Sequence, residues 1–129
     1  MSPADGIRKL GFRRWYERQL IEGHAWFVTC FLCMILALAC AEDIGLKEGG
    51  LKPVLMLALI AAAAALGLAS LKRYRKLLVR AEAIAEQSTC ARCATYGRLV
   101  VIGAGATEVQ APVWMRVRCR HCGNEWVVE

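Results

Sequence analysis

Two uninterrupted apolar blocks dominate the hydrophobic pattern of this 129-residue chain. The first runs from about Ala25 to Ala41 (AWFVTCFLCMILALACA) and the second from about Val54 to Leu71 (VLMLALIAAAAALGLASL), and neither contains a charged residue. Crossing the hydrocarbon core of a bilayer takes about 20 helical residues, so each block predicts a transmembrane helix. The connection from Glu42 to Lys52 is short and carries Gly45, Gly49 and Gly50, and Pro53 suits the first turn of the helix that follows. Residues 24–71 therefore predict an antiparallel transmembrane hairpin.

The flanks keep helical periodicity but lose the continuous apolarity. Within residues 1–23, Ile7 to Leu20 places Phe12, Trp15, Tyr16 and Leu20 on one arc and Arg13, Glu17 and Arg18 on another, the pattern of an amphipathic helix lying at a membrane interface. Trp15, Tyr16 and Trp26 then fall where an aromatic belt would sit, with Gly23 as a bend; a continuous helix projecting from the bilayer fits the same residues. Beyond the second block no Gly or Pro occurs between Leu71 and Gln87, so that span continues as a cytoplasmic helix extension over 72–87. Its stripe of Leu77, Leu78, Ala81, Ile84 and Ala85 needs cover from elsewhere in the chain or from a partner.

Charge sets the orientation. Arg8, Lys9, Arg13, Arg14 and Arg18 precede the first block and Lys72, Arg73, Arg75, Lys76 and Arg80 follow the second, against Lys47 and Lys52 between them. Both termini are expected to be cytoplasmic, at a cell or inner membrane, and the net charge of +6 lies mainly on that side. A competing reading takes the basic leader and Leu36-Ala37-Leu38-Ala39-Cys40 as a cleaved signal or lipobox. The register argues against it, because Ala37 and Leu38 reverse the large-then-small order such a site needs before its cysteine.

After the joint Gln87-Ser88-Thr89 the chemistry changes. Cys90-Ala91-Arg92-Cys93 and Cys119-Arg120-His121-Cys122-Gly123 are two C-x-x-C turns separated by about 25 residues. Each such turn aims two thiolates at one point, and two of them supply the four-sulfur set that zinc prefers. Thioredoxin-type redox chemistry would need a βαβ context, which neither pair has. A cytoplasmic site would also keep these thiols reduced. His121, between two ligands, is expected to face solvent. Arg98–Ile102, Val113–Arg118 and Glu125–Val128 read as strands and Gly103-Ala104-Gly105 as a turn region. A domain of about 40 residues with three short strands buries too little core to fold without a metal.

On these motifs residues 88–129 resemble the zinc-ribbon superfamily, and the resemblance implies one zinc held by Cys90, Cys93, Cys119 and Cys122 between small antiparallel strands. The segment Cys119 to Trp126 matches the usual second knuckle well. At the first knuckle Ala94 stands where a glycine or polar residue is common, a departure from the related rubredoxin pattern, in which glycine follows both knuckles and the metal is an electron-transferring iron. The resemblance covers about a third of the chain and implies a fold, not an activity. The fold class expected overall is an α+β membrane protein: an interfacial amino-terminal helix, a two-helix transmembrane hairpin and a carboxy-terminal zinc-ribbon β domain.

No catalytic constellation is legible, so a non-enzymatic role is expected. The leading reading is an accessory subunit or interaction module, embedded in a lipid bilayer and bound to a membrane-protein partner or to a second copy of itself. Trp114 and Trp126 would be its contacts, since a small ribbon has little interior for two tryptophans. Arg92, Arg98, Arg116, Arg118 and Arg120, with Tyr96, offer an alternative as nucleic-acid contacts, although a four-thiolate zinc carries a net negative charge that nearby arginines would offset. A third reading is metal or thiol redox chemistry. Cys30, Cys33 and Cys40 share a face of the first block and read chiefly as small packing residues. Glu22 and His24 are the polar candidates at the membrane entrance for metal or quinone contact.

Overall fold

The computed structural model describes residues 2–43, 50–106 and 113–129. Three helices, α1 (Pro3–Leu10), α2 (Phe12–Glu42) and α3 (Leu51–Glu86), precede three strands, β1 (Leu99–Ala106), β2 (Val113–Cys119) and β3 (Glu125–Val128). Two compact units result: one holds the residues up to Leu20 together with Leu78–Glu129, the other Ile21–Leu77.

In the unit Ile21–Leu77 the two long helices form a hairpin. With mean hydropathies of 2.1 for α2 and 2.5 for α3 over their most apolar stretches, both are long and apolar enough to cross a membrane. Little of that surface is buried within the chain. The contact runs along small residues, as close helix packing requires: a Cβ added to Gly67 would lie 3.4 Å from Cys33 Cβ, and Ala63, Ser70, Cys33 and Cys40 are buried. Toward the other end Phe27 and Tyr74 meet at 5.4 Å between ring centroids, and the Arg73 guanidinium lies 5.6 Å over the Trp26 ring. The helix runs unbroken through Gly23, so no bend occurs there. Gly45 and Gly49 of the connection lie outside the described residues.

The helix expected from Ile7 to Leu20 is interrupted at Gly11. Ser2 caps α1 by accepting the Asp5 backbone N–H at 3.2 Å, and α1 ends where Gly11 takes φ 79° and donates to Ile7 O. Only glycine reaches that conformation without steric cost. The next helix starts at once, with Gly11 O accepting from Trp15 N at 3.1 Å. The break lets Ala4 and Ile7 of α1 and Phe12 and Trp15 of α2 enter one core.

The sheet has order β1-β2-β3 and is antiparallel throughout. Leu99 pairs with Cys119 and Val101 with Val117, then a bulge at Ile102 shifts the register so that Gly103 meets Arg116 and Gly105 meets Trp114. The Gly103-Ala104-Gly105 segment expected as a turn is thus strand. A bulge and small residues allow this, because the backbone ladder does not need their side chains. Alternation divides the faces. Leu99, Val101, Met115, Val117 and Val128 point inward and form one cluster with Ala4, Ile7, Phe12, Trp15 and Ile84.

That cluster answers the question of cover. Ile84 and Ala85, at the end of the stripe on α3, pack in this core, and so do Phe12, Trp15 and Tyr16 of the arc read as membrane-facing. Trp15 is 3% exposed and Phe12 5%, so the sheet's inner face takes the apolar arc that the sequence assigned to a membrane surface.

Candidate metal centre

Each cysteine pair is built by the same backbone turn. Cys90 N–H donates to Thr95 O at 3.1 Å and Ala94 N–H to Cys90 O at 2.8 Å; in the second knuckle Cys119 N–H donates to Asn124 O at 2.8 Å and Gly123 N–H to Cys119 O at 3.1 Å. Both closing residues are left-handed, Ala94 at φ 54° and Gly123 at φ 74°. Ala94 therefore differs from a glycine in side chain but not in conformation, and the departure seen in the sequence is no departure in the fold. As an argument against an iron-type knuckle it loses its structural basis.

The two turns face each other and bring the four sulfurs within 4.8 Å of one another. Between the knuckles Cys90 Sγ lies 3.5 Å from Cys122 Sγ and Cys93 Sγ 3.6 Å from Cys119 Sγ. A disulfide needs about 2.0 Å; four sulfurs around an ion at about 2.3 Å would stand ~3.8 Å apart. The cluster fits a tetrahedral metal ion and not a pair of disulfides. Among the described residues no other group of three or more Cys, His, Asp or Glu converges in this way.

Hydrogen bonds to sulfur shape the protonation of the site. The Cys93 N–H holds the Cys90 thiol down at about 6, with help from Arg92 N–H and the Cys122 and Cys93 thiols and against burial. Cys93 is also lowered, chiefly by the Thr95 side chain and backbone. The Asn124 backbone favours the Cys122 thiolate, but burial and the crowd of neighbouring thiols outweigh it and push Cys122 up to about 11. Without an ion the cage thus keeps a proton among its sulfurs, as expected when like charges would otherwise share one site. His121 N–H and Asn124 Nδ2 donate to Cys119 Sγ and Cys90 Sγ at 3.4 and 3.8 Å. Thr95 Oγ1 lies 3.2 Å from Cys93 Sγ. The His121 side chain itself is exposed.

The surrounding arginines separate into distinct environments. Arg118 holds Glu125 across the β2–β3 ladder through Nε at 2.8 Å and Nη2 at 2.6 Å. Arg98 and Arg120 line an open cleft of about 240 Å³ with Gly11, Phe12 and Gly97. Arg92 and Arg116 are exposed. The two tryptophans also divide. Trp126 is half-buried on the inner face and its indole N–H donates to Gln87 O at 2.9 Å. Trp114 is on the outer face, its indole lying where a Gly105 side chain would be, 2.8 Å from an added Cβ.

Outside the ribbon Cys33 and Cys40 are buried and Cys30 half-buried, all as free thiols. Glu22 pairs with Arg73 at 3.8 Å, and His24 is exposed. Sequence reasoning missed Thr95 and Asn124, the residues that complete the two knuckles, although their matched place five residues after Cys90 and Cys119 was a usable signal. It also missed Gln87, whose side chain accepts from Glu129 N at 3.0 Å and donates to Glu129 O at 2.8 Å.

No protein-family model, curated protein or solved structure matches this chain.

Proposed function

We propose that this chain is a membrane-anchored zinc-ribbon protein that works as a non-catalytic interaction module, an accessory subunit of a larger membrane complex. Cys90, Cys93, Cys119 and Cys122 would hold the zinc, since four thiolates at near-tetrahedral spacing suit that ion. When bound, zinc supplies folding energy to the ribbon. The two apolar helices would anchor the protein, and the basic residues on both sides of the hairpin put the termini in the cytoplasm.

The observation that carries the reading is the inequality of the sheet's two faces. The inner face is filled by the chain's own helices. The outer one presents Trp114, Arg116 and Val127, and a half-buried tryptophan beside an exposed arginine is the composition that interface hot spots favour. Trp114 is therefore the assigned partner contact. Purification from native membranes tests this: a partner retained by the unaltered protein and by Trp126→Phe, but lost from Trp114→Ala at unchanged zinc content, supports the module. A partner retained by Trp114→Ala removes that contact.

The cleft lined by Arg98 and Arg120 favours a second reading, membrane-tethered nucleic-acid binding, because Tyr96, 56% exposed, stands two residues from Arg98. Oligonucleotide affinity that falls steeply with salt and collapses in Arg98→Gln/Arg120→Gln would favour it over the module.

A further inference from the structure

Phe12 sits where three parts of the chain meet. Its ring packs on Gly97, from which a Cβ would reach Phe12 Cδ1 at 3.2 Å. It meets Tyr96 edge-on at 5.8 Å and stacks on Tyr16 at 6.1 Å. Arg98 and Arg120 line the same cleft. Gly97 and Arg98 leave the first knuckle, whereas Arg120 lies inside the second, so the seat for Phe12 exists only while the two knuckles stand together. One backbone bond joins them near this seat, Arg120 N–H to Arg98 O at 2.9 Å.

The end of α3 is tied to the same knuckles. Ser88 Oγ donates to Ile84 O at 2.5 Å, Ser88 O accepts from Gly97 N at 3.1 Å, and a bridge joins Thr89 to Tyr96. Gln87 fastens the last turn of α3 to Glu129 and Trp126 of the β3 end. The leading turns of α2 and the last turns of α3 are thus both held on one small scaffold.

We propose that metal occupancy of the four-thiolate cage operates this scaffold as a clamp: with metal bound, α1 and the first turns of α2 are locked beside the last turns of α3; without it they are released. The clamp rests on the metal reading above. Its reason is geometric, because no covalent bond joins the two knuckles among the described residues, and their sulfurs only approach one another, at 3.5 and 3.6 Å. A bound cation would tie all four sulfurs to one point. Metal supply, or its removal, would then reach the leading end of one apolar helix and the trailing end of the other, which makes the ribbon a sensor as well as a surface.

The test is amide hydrogen exchange on the full chain in detergent micelles, with metal content measured in parallel by elemental analysis. Removing the metal by chelation should cut protection of residues 4–16 and 84–88 at least tenfold while residues 28–38 keep theirs. Phe12→Ala and Gly97→Ala should lower the protection of residues 4–10 more than that of β2, at unchanged metal content, which separates release from unfolding of the ribbon. Metal loss that leaves residues 4–16 protected overturns the clamp alone. A chain that neither carries nor takes up metal overturns the metal reading, and the clamp with it.

Discussion

Ala94 and Gly123 occupy the same place in the two knuckles, each four residues after the knuckle's first cysteine and each left-handed, at φ 54° and 74°. One position uses the residue that tolerates this conformation freely and the other does not. An L-residue there costs about 1–2 kcal/mol, offset in part by the lower entropy of its unfolded chain. Ala94→Gly should therefore stabilise the metal-loaded protein by about 0.5 kcal/mol, and Gly123→Ala should destabilise it by about 1 kcal/mol. A Cβ at Gly123 meets nothing within 4 Å, so the loss would be a backbone effect. Thermal unfolding of both variants at equal metal content checks the pair.

Trp15 should matter more to the ribbon than either of the ribbon's own tryptophans. It is 3% exposed in the cluster that includes Val117 and Ile84, and truncating a buried tryptophan to alanine costs about 3–5 kcal/mol. Trp15→Ala should raise hydrogen exchange in β1 and β2, whereas Trp114→Ala should leave it nearly unchanged. Equal effects of the two would contradict the assignment of inner and outer faces.

Trp126→Phe removes the N–H to Gln87 O, worth about 1 kcal/mol, together with part of the ring that packs on the core. The change should appear as faster exchange at residues 84–88 with unaltered metal content.

Metal affinity should rise with pH. Binding needs thiolates, and Cys122, pushed up to about 11, still carries its proton at neutral pH and must release it on loading. Apparent affinity therefore gains about tenfold per pH unit for each proton released. Below about pH 6 the Cys90 thiol is protonated as well, and the dependence steepens. Competition with a chromophoric chelator across that range reads the slope directly; a flat profile would contradict thiolate ligation.

The sequence and the structure agree where local pattern decides the outcome. Residues 25–41 and 54–71 lie within helices, as their long charge-free stretches predict, and each C-x-x-C spacing sets two sulfurs together, while the β1–β2 pairing brings the two turns face to face. Agreement ends where tertiary contacts decide. The amphipathic arc of Phe12, Trp15 and Tyr16 looks alike whether a bilayer surface or a sheet covers it, and only the fold, through the break at Gly11, selects the sheet. Gly103 to Gly105 have turn composition, yet strand pairing overrides it because Trp114 lies over Gly105 and supplies the side-chain surface that glycine lacks. Trp114 and Trp126 look equivalent in the sequence, and the period-2 alternation of their strands sends them to opposite faces.

Elemental analysis of the purified full chain tests the account most directly. One zinc per chain, colourless, and lost when Cys90, Cys93, Cys119 or Cys122 is replaced by serine but not when Cys33 is, is the result the four-thiolate cage predicts. A chain that holds no metal, or one whose metal survives Cys122→Ser and disappears with Cys33→Ser, would contradict it.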